Sequence, residues 1–523
     1  MVAVATRASG KKPKKPKRSK KVRKPPKKKA PKKAPATVTS YAPASYWRTA
    51  MPSAYELHVI KRLGTGYSTA TLAAVRRAGG IDRWFAQQLE PATVPEASIV
   101  AAVDAWYAHL RRAPAQKVAT NDDGTKMAWQ YGLDLANWTV LRRIHSTRAV
   151  QETMVDFWTN HLHISTGEDR VYTHQFAYDA TIRTHALGRF EDLLVATATH
   201  PAMSLYLDNW RSRKNAPNEN QGRELLELHT VGTGSGYTED MVKDSAKILS
   251  GYSVRWGDDY EGFYDAANHT TGRVSVLGFT HDNTAADGRE VAEAYLRHLA
   301  NHPATARTVA TRLALRFVSD TPSEALVSHL AGVFQDSGTD IKATLRALVA
   351  HPEFRGHAGA KVSTPVDDLV ATVKALGVTA RRPTGDGSFA NHLNYAHGGL
   401  RLYSWPRPDG APETNPEWTS AVRMLRSFRM HWNLAGGYYP KTDATFVPAR
   451  SRVPLASLRF DYYFDHLSRS LLGRRSTARS LQAACLATGL TPSSVITPAH
   501  AVGTWMFPHL AAVLLDSPEH VTR

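Results

Sequence analysis

The chain has 523 residues, of which 42% are hydrophobic and 9% are aromatic, so it can bury a large core and is mostly globular. Lysine and arginine total 66 against 46 acidic residues, which gives a net charge of +20. The single cysteine, Cys485, excludes an intramolecular disulfide framework and a cysteine-rich zinc site. No apolar stretch reaches the ~20 residues that a membrane-spanning helix needs.

The positive charge is concentrated at the N-terminus. Residues 1–36 hold 16 basic residues and no acidic one, which leaves 50 basic against 46 acidic residues elsewhere. This Lys/Pro/Ala-rich segment has almost no apolar residues and is predicted to be disordered. We expect it to bind a polyanion, either nucleic acid or an anionic envelope polymer, without sequence specificity. The alternative is a solubilising or targeting extension. The predicted polyanion-binding residues are Lys11, Lys12, Lys14, Lys15, Lys17, Arg18, Lys20, Lys21, Arg23, Lys24, Lys27, Lys28, Lys29, Lys32 and Lys33.

The segment that follows the tail lacks the features of a secretory signal. Its sequence, "TVTSYAPASYWRTAMPSAYELHVI", is interrupted by Ser, Pro, Arg and Glu where a signal peptide needs a continuous apolar region. This feature favours a cytoplasmic location.

Most of the remaining segments have helical patterns. "STATLAAVRRAGGIDRWFAQQL" predicts two short helices separated by glycines, and "STRAVQETMVDFWTNHLHI" has an apolar stripe that includes His161. "TEDMVKDSAKILSG" begins with Thr238 as its N-cap, and "HPATARTVATRLALRFVSD" has proline in its first turn. A further helical pair is expected in "SEALVSHLAGVFQDSG" and "DIKATLRALVAHPEF".

Two regions depart from this helical pattern. Residues 252–280 are rich in aromatic residues and predict loops or a short hairpin, and residues 376–450 are predicted to form long ordered loops. The fold class is therefore mainly α: a large multi-helix globular domain with a minor β hairpin and long ordered loops, preceded by the disordered basic tail. The predicted organisation is a tail over 1–44, a helical core domain over 45–360, and a C-terminal helical and loop-rich part over 361–523 that packs on the core.

The stretch "NENQGRELLELHT", residues 218–230, contains the first candidate site. Asn218 is predicted as a helix N-cap, which places Asn220, Arg223, Glu224 and Glu227 on one face. Leu225, Leu226 and His229 lie on the opposite face. The polar face is either a solvated surface with ordinary ion pairs or a site.

The remaining motifs give weaker signals. His161 and His163 are two positions apart, so on a helix they point away from each other and do not chelate one metal ion. His281 and Asp282 form a polar pair in a loop after a strand-like run. No metal site is predicted, because no closed set of four ligands is visible, and no cofactor is indicated.

Several of these segments occur together and in order in one known family. "KRLGTGYS", "WFAQQL", "DFWTNHL", "LGRFEDLLVATATHPAMSLYLDN", "NENQGRELLELHTVG", "GYTEDMVKDSAKILSGY", "LGFTHDN" and "HPATARTVATRLALRFVSD" resemble the bacterial family called domain of unknown function 1800 over about residues 57–354. The later "RLYSWPRPDG" and "EW" resemble its C-terminal region more loosely. The resemblance implies a largely helical fold and no defined activity. Members often carry export signals and are often encoded beside sulfatase-like and alkaline-phosphatase-like proteins, which implies work at the cell envelope.

The resemblance also implies a set of site residues, because the family motif covers the polar face. The motif includes Asn218, Asn220, Arg223, Glu224, Glu227, His161, Tyr237, His281 and Asp282. One hypothesis is a site in which Glu224, Glu227, His161, His281 and Asp282 are catalytic and Asn218, Asn220, Arg223, His229 and Tyr237 bind the ligand. The alternative is a buried structural network of Asn, Arg and Glu side chains that fixes how the helices dock. Three functions follow as hypotheses. The first is an enzyme acting on cell-envelope or polymeric substrates, the second a non-catalytic binding or assembly partner of a companion envelope enzyme, and the third a polyanion-binding protein that uses its tail.

Overall fold

A computed structural model describes residues 41–167, 170–385, 388–396 and 401–523. The described residues from Tyr41 to Arg523 form one compact unit. The basic tail and its predicted polyanion-binding residues lie outside the described residues.

Helices dominate the described residues. They are, in chain order, α1 (Ala54–Leu63), α2 (Thr69–Arg77), α3 (Ile81–Gln88), α4 (Ser98–Trp106), α5 (Pro114–Asp122), α6 (Ala128–His145), α7 (Ala149–His161), α8 (Gln175–His185), α9 (Phe190–Ala198), α10 (Pro201–Tyr206), α11 (Asn220–Glu224), α12 (Glu239–Leu249), α13 (Arg289–Asn301), α14 (Pro303–Phe317), α15 (Glu324–Asp336), α16 (Ile341–Ala350), α17 (Pro352–Gly356), α18 (Pro365–Leu376), α19 (Phe389–Ala396), α20 (Ala421–Gly436), α21 (Phe460–Leu472), α22 (Ala478–Thr488), α23 (Phe507–Leu515) and α24 (Pro518–Val521). None of the helices in these described ranges is both long and apolar enough to cross a bilayer.

The β structure is limited to short antiparallel strand pairs. They are β1 (Tyr252–Val254) with β2 (Gly262–Tyr264), β3 (Val274–Val276) with β4 (Phe279–His281), β5 (Thr379–Ala380) with β6 (Ala444–Thr445), and β7 (Leu458–Arg459) with β8 (Val495–Ile496). The mainly α prediction is confirmed. The aromatic-rich region 252–280 forms the first strand pair and most of the second.

Helix ends follow the capping signals of the sequence. The Thr238 hydroxyl accepts a hydrogen bond from the backbone N–H of Met241 at the start of α12, and Pro303 occupies the first turn of α14. Ser53 begins α1 with a complete capping box, in which its side chain and that of Glu56 bond to each other's backbone N–H. These local bonds satisfy N–H groups that a helix leaves unpaired at its first turn.

The region 376–450 contains two helices as well as the predicted loops. Helix α20 begins at the Ser420 N-cap and ends at Gly437, whose φ of 62° suits glycine. Its buried face includes Arg423, Ser427 and His431, so polar residues occupy positions that an apolar helical stripe normally fills. The sequence pattern therefore concealed this helix.

Two hydrophobic clusters form the interior. The first contains α1–α3 and the apolar residues between Val150 and Phe354, and the second contains the apolar faces of α4, α6 and the helices after Val366. Helix α6 packs on α18 and α19, and α7 packs on α1 and α3. The boundary between these clusters, where α6, α7, α14 and α18 approach one another, holds the buried charges described below.

Candidate functional site

The polar stretch 218–230 contains one turn of α-helix, Asn220–Glu224, which is followed by a π-helical turn, Leu225–His229. The helix starts at Asn220 with Glu219 at its N-cap, and the Asn218 side chain accepts a bond from the Asn220 N–H at 2.9 Å. The predicted N-cap position was therefore wrong by one residue. π-helical turns are rare and occur often at functional sites.

Arg223 organises the polar face by pairing with acidic residues. Its guanidinium makes two bonds to Glu239, at 2.8 and 2.7 Å, and lies 3.9 Å from Glu227 and 3.6 Å from Glu219. The Arg223 side chain is 32% exposed, so this pairing takes place at the surface. Tyr237 lies beside Glu227 and donates to it, and burial together with that bond raises the pKa of Tyr237 to about 12.

Glu224 occupies a less polar position than Glu227. Burial raises the pKa of the Glu224 carboxyl, and the negative charges of Glu227 and Asp409 raise it further, against the opposing effect of Arg223. Asp409 belongs to the loop 405–413, so that loop lies close to this face. A carboxyl group whose pKa is raised is a candidate for proton transfer.

His161 and His229 are brought together in the core. His161 Nε2 lies 3.1 Å from the carbonyl oxygen of His229, and both side chains are buried. Burial lowers both pKa values, that of His229 to about 4, and the nearby Arg312 adds to this effect. Both rings are therefore neutral at pH 7. Neither His161 Nδ1 nor His229 Nε2 has a partner among the described residues.

His281 and Asp282 are placed elsewhere. His281 ends β4, is exposed, and accepts a bond from the backbone N–H of Asn283 at 2.9 Å. Its ring stacks near Phe279 in the same strand. Asn220 is exposed and Asn218 half-buried at the other end of the stretch. The predicted residues therefore form three groups: a surface face, a buried histidine pair and an exposed hairpin.

A cavity of about 110 Å³ is lined in part by the loop 405–413. Its lining residues include Thr139, Arg143, Glu152, Asp156, Thr159, Asn160, His163, Arg316, Tyr403, Trp405, Glu413 and Trp418. The volume is sufficient for several waters or part of a small ligand. A cavity that combines aromatic walls with convergent polar groups is typical of a ligand site.

Asn160 holds the loop against the C-terminal end of α7. Its side-chain amide accepts from the Ala411 N–H at 2.7 Å and donates to Ala411 O at 2.9 Å and to Glu413 at 3.0 Å. Gly410 adopts a φ of 74°, and a β-carbon there would lie 2.1 Å from the carbonyl oxygen of Asn160. Glycine is therefore required at this position by both conformation and space.

A network of buried charges forms one wall of the cavity. Arg143 bonds to Asp156 at 2.9 Å and to Asp367 at 2.5 Å, and Arg316 bonds to Asp156 at 2.7 Å and to Glu413 at 3.1 Å. The two arginine side chains are 1% and 3% exposed. The network joins α6, α7, α14, α18 and the loop 405–413. Buried charges of this kind need partners, and losing one partner is strongly destabilising.

The environments of Asp156 and Asp367 differ. Burial raises the pKa of Asp156, although Arg143 and Arg316 oppose it. Burial alone would also raise the pKa of Asp367, but Arg523, Arg316 and Arg143 outweigh it and hold that pKa far below its usual value. Of the two carboxyl groups that Arg143 bridges, Asp156 is the one more easily protonated, and it is the one that lines the cavity.

Four residues that line the cavity have buried polar atoms without a protein partner. Within the described residues, these atoms are Arg143 Nε, Arg316 Nε, Glu152 Oε2 and Thr159 Oγ1. Leaving a buried polar group unpaired costs about 1–3 kcal/mol, so such groups usually bind water or a ligand. Two donors, one acceptor and one hydroxyl thus lack a protein partner on residues that line the cavity.

The comparisons with known proteins identify the family. A profile of the family described as "Protein of unknown function (DUF1800)" matches residues 58–522, which is nearly the whole described chain. The chain belongs to the DUF1800 family. No curated protein and no solved structure is significantly similar to it. The DUF1800 match extends well beyond residue 354 and includes the loop 405–413 and the charged wall of the cavity.

Two charged residues within apolar helical segments of the sequence were signals for the buried charges of the cavity, but helical periodicity alone did not reveal their role. Asp156 lies in the otherwise apolar start of "DFWTNHL", and Arg316 lies in "RLALRF" between apolar neighbours. A charged residue on an apolar helical face needs a buried partner. The partner itself was not predictable, because Asp156 and Arg316 are 160 positions apart.

Proposed function

We propose that this DUF1800 protein is an enzyme that binds a hydroxyl-rich ligand, such as a sugar unit of an envelope polymer, in the cavity between α7, α14 and the loop 405–413. The observation that carries this proposal is the set of four unpaired buried polar atoms on residues that line the cavity. Hydroxyl groups both donate and accept, so a polyol suits a cavity lined by arginine, glutamate and threonine side chains.

The aromatic residues support the same class of ligand. Trp405 and Trp418 line the cavity, and their indole N–H groups are already bonded, to Asp409 at 3.2 Å and to Pro412 O at 2.9 Å. Their remaining contribution to the cavity is apolar ring surface. An apolar face beside hydrogen-bonding groups suits a sugar ring, which has both kinds of surface.

Asp156 is the proposed proton donor. It lines the cavity and is the more easily protonated of the two carboxyl groups that Arg143 bridges, so it is suited to protonate a ligand oxygen. Glu413 shares Arg316 with Asp156 and is its proposed carboxylate partner. The residues of the polar face, with Glu224 foremost, are proposed to contact a polymeric substrate outside the cavity, because the charge of Asp409 in the loop 405–413 acts on the Glu224 carboxyl.

Soluble fragments of envelope polysaccharides test this proposal. Binding to the full chain is followed by tryptophan fluorescence and calorimetry, and cleavage by product analysis. Asp156→Asn should retain binding and lose turnover, whereas Thr159→Val should weaken binding about fivefold, since one hydrogen bond contributes about 1 kcal/mol. Thr311→Val is the matched control, because Thr311 is half-buried on α14, does not line the cavity, and bonds only to Arg307 O among the described residues. Failure of every fragment to bind would contradict the proposal.

The composition of the basic tail is a separate observation, and it favours a second function, the binding of polyanions. Sixteen cationic residues without one acidic residue in 36 positions attract polyanions through counterion release. This binding is compatible with the enzyme hypothesis, since the tail would hold the folded unit near an anionic polymer. A non-catalytic role beside a companion envelope enzyme is the remaining alternative, and it predicts complex formation without turnover.

A further inference from the structure

Three helices of the C-terminal part bring together a second cluster of polar side chains. Asp368 lies on α18, His431 on α20 and His520 on α24, and their side chains are 1%, 0% and 5% exposed. Asp368 Oδ1 lies 3.0 Å from His431 Nε2 and 3.6 Å from His520 Nε2. All three ligand atoms lie within 4.8 Å of one another.

Surrounding groups orient these three atoms. Ser427 Oγ donates to Asp368 Oδ2, and Arg423 Nη2 lies 3.4 Å from the same oxygen, which leaves Oδ1 directed at the histidines. His431 Nδ1 lies 2.8 Å from Asp516 Oδ1, so Nε2 is directed inward. A carboxylate behind a histidine is the usual outer partner of a metal-binding imidazole.

We propose that Asp368, His431 and His520 bind one divalent transition-metal ion, with Zn²⁺ as the best fit. Two imidazole nitrogens and one carboxylate oxygen form the ligand set of open zinc sites. Bonds of ~2.0–2.1 Å in a tetrahedron place ligand atoms about 3.4 Å apart, and the observed separations of 3.0 and 3.6 Å lie on either side of this value.

Two groups beside His520 are candidates for the fourth ligand of the ion: the Thr372 hydroxyl and one water molecule. The Thr372 hydroxyl lies 2.9 Å from His520 Nε2, and His520 also lines a cavity of about 20 Å³, which has room for one water. The ion would join α18, α20 and α24. Asp367, the neighbour of Asp368 on α18, belongs to the charged wall of the ligand cavity, so the ion would also fix that wall.

Elemental analysis of the untagged full-length protein, purified without chelators, tests this site. We expect about one zinc ion per chain. His520→Gln should remove it, and Asp516→Asn should lower the affinity about tenfold through the outer partner. His174→Gln is the matched control, because His174 is also buried and its Nε2 bonds to Tyr260 O at 2.8 Å, outside the cluster.

Cobalt substitution keeps the proposal testable if His520→Gln does not fold. Wild-type protein from which the metal has been removed with a chelator, and to which Co²⁺ is then added, should show the intense visible absorption of a four-coordinate ion. A weak spectrum typical of hydrated Co²⁺ would overturn the proposal, and so would zinc content in His520→Gln equal to that of the wild type. Because neither measurement uses a substrate, failure of the proposed enzymatic function leaves this test unaffected.

Discussion

Arg316 donates to Asp156 at 2.7 Å across the cavity wall, and so joins α14 to α7. The same guanidinium reaches Glu413 through its other terminal nitrogen, at 3.1 Å. One side chain therefore connects two helices of the first hydrophobic cluster to the loop that closes the cavity. Arg316 also lies 3.4 Å from Asp367, so its removal would leave three carboxylates with fewer partners, and this consequence can be measured.

Arg316→Met should lower the free energy of unfolding by about 3–5 kcal/mol, because it leaves buried carboxylates without their counter-charge. Denaturant unfolding of the full chain measures the loss. Arg307→Met is the control, since Arg307 lies on the exposed side of the same helix and pairs with exposed Glu324. An equal loss in both variants would show that the charged wall has no special role in stability.

Thr159→Val should leave the free energy of unfolding unchanged or raise it slightly. The Thr159 hydroxyl is buried without a partner in the described part of the chain, so replacing it with a methyl group removes an unsatisfied polar atom. Thermal unfolding without ligand measures the effect. A loss above about 2 kcal/mol would indicate that the hydroxyl is satisfied by the protein, and the cavity would lose one of its ligand contacts.

Substitutions on the polar face test its role separately. Arg223→Met should lower stability by less than about 1 kcal/mol, because its ion pairs lie at the surface. Glu224→Gln should be neutral or stabilising at pH 7, since the folded state raises the pKa of this carboxyl and so disfavours its charged form. Denaturation curves of the two variants measure both effects. A large loss of unfolding free energy in Glu224→Gln would identify that residue as structural.

Acid should destabilise the protein between about pH 6.5 and pH 4. Burial lowers the pKa of His58, His174 and His229 to about 4 and that of His200 to about 3. Below the unfolded value of about 6.5, the unfolded chain binds protons that the folded chain does not, so stability falls as the pH falls. Stability measured across this range should respond less to pH in His200→Gln. A His200→Gln variant whose stability responds to pH as strongly as that of the wild type would contradict this prediction.

A truncated chain that begins at Ser45 should bind duplex DNA or another polyanion far more weakly than the full chain, whose affinity should fall steeply with salt. Its melting temperature should stay close to that of the full chain, because the truncated chain keeps two bonds that hold this end of the folded unit: Ser45 accepts from Arg469 at 2.9 Å, and the Tyr46 N–H donates to Asp465 at 2.7 Å. Equal binding by both chains would assign polyanion binding to the folded unit.

The sequence by itself determined the helical class and many element ends. Caps such as Thr238 act through bonds to residues three positions away, and apolar periodicity reports which face is buried, so both are local properties. The inward direction of His161 followed in the same way, whereas the region 252–280, predicted as loops or a single short hairpin, contributes to two strand pairs. The segments that resemble the family include both Asp156 and Arg316, but they do not show that these two residues form an ion pair.

Only the tertiary structure decided which charges meet. The Asp156–Arg316 pair spans 160 positions, and the Asp368–His431 pair spans 63, so neither produces a short motif. The exposure of Arg223 also could not be predicted from the sequence. Helical spacing fixes which residues share a face but not what covers that face. Helix α20 was missed because its buried side carries Arg423 and His431, whose burial depends on partners supplied by Asp368 in another helix.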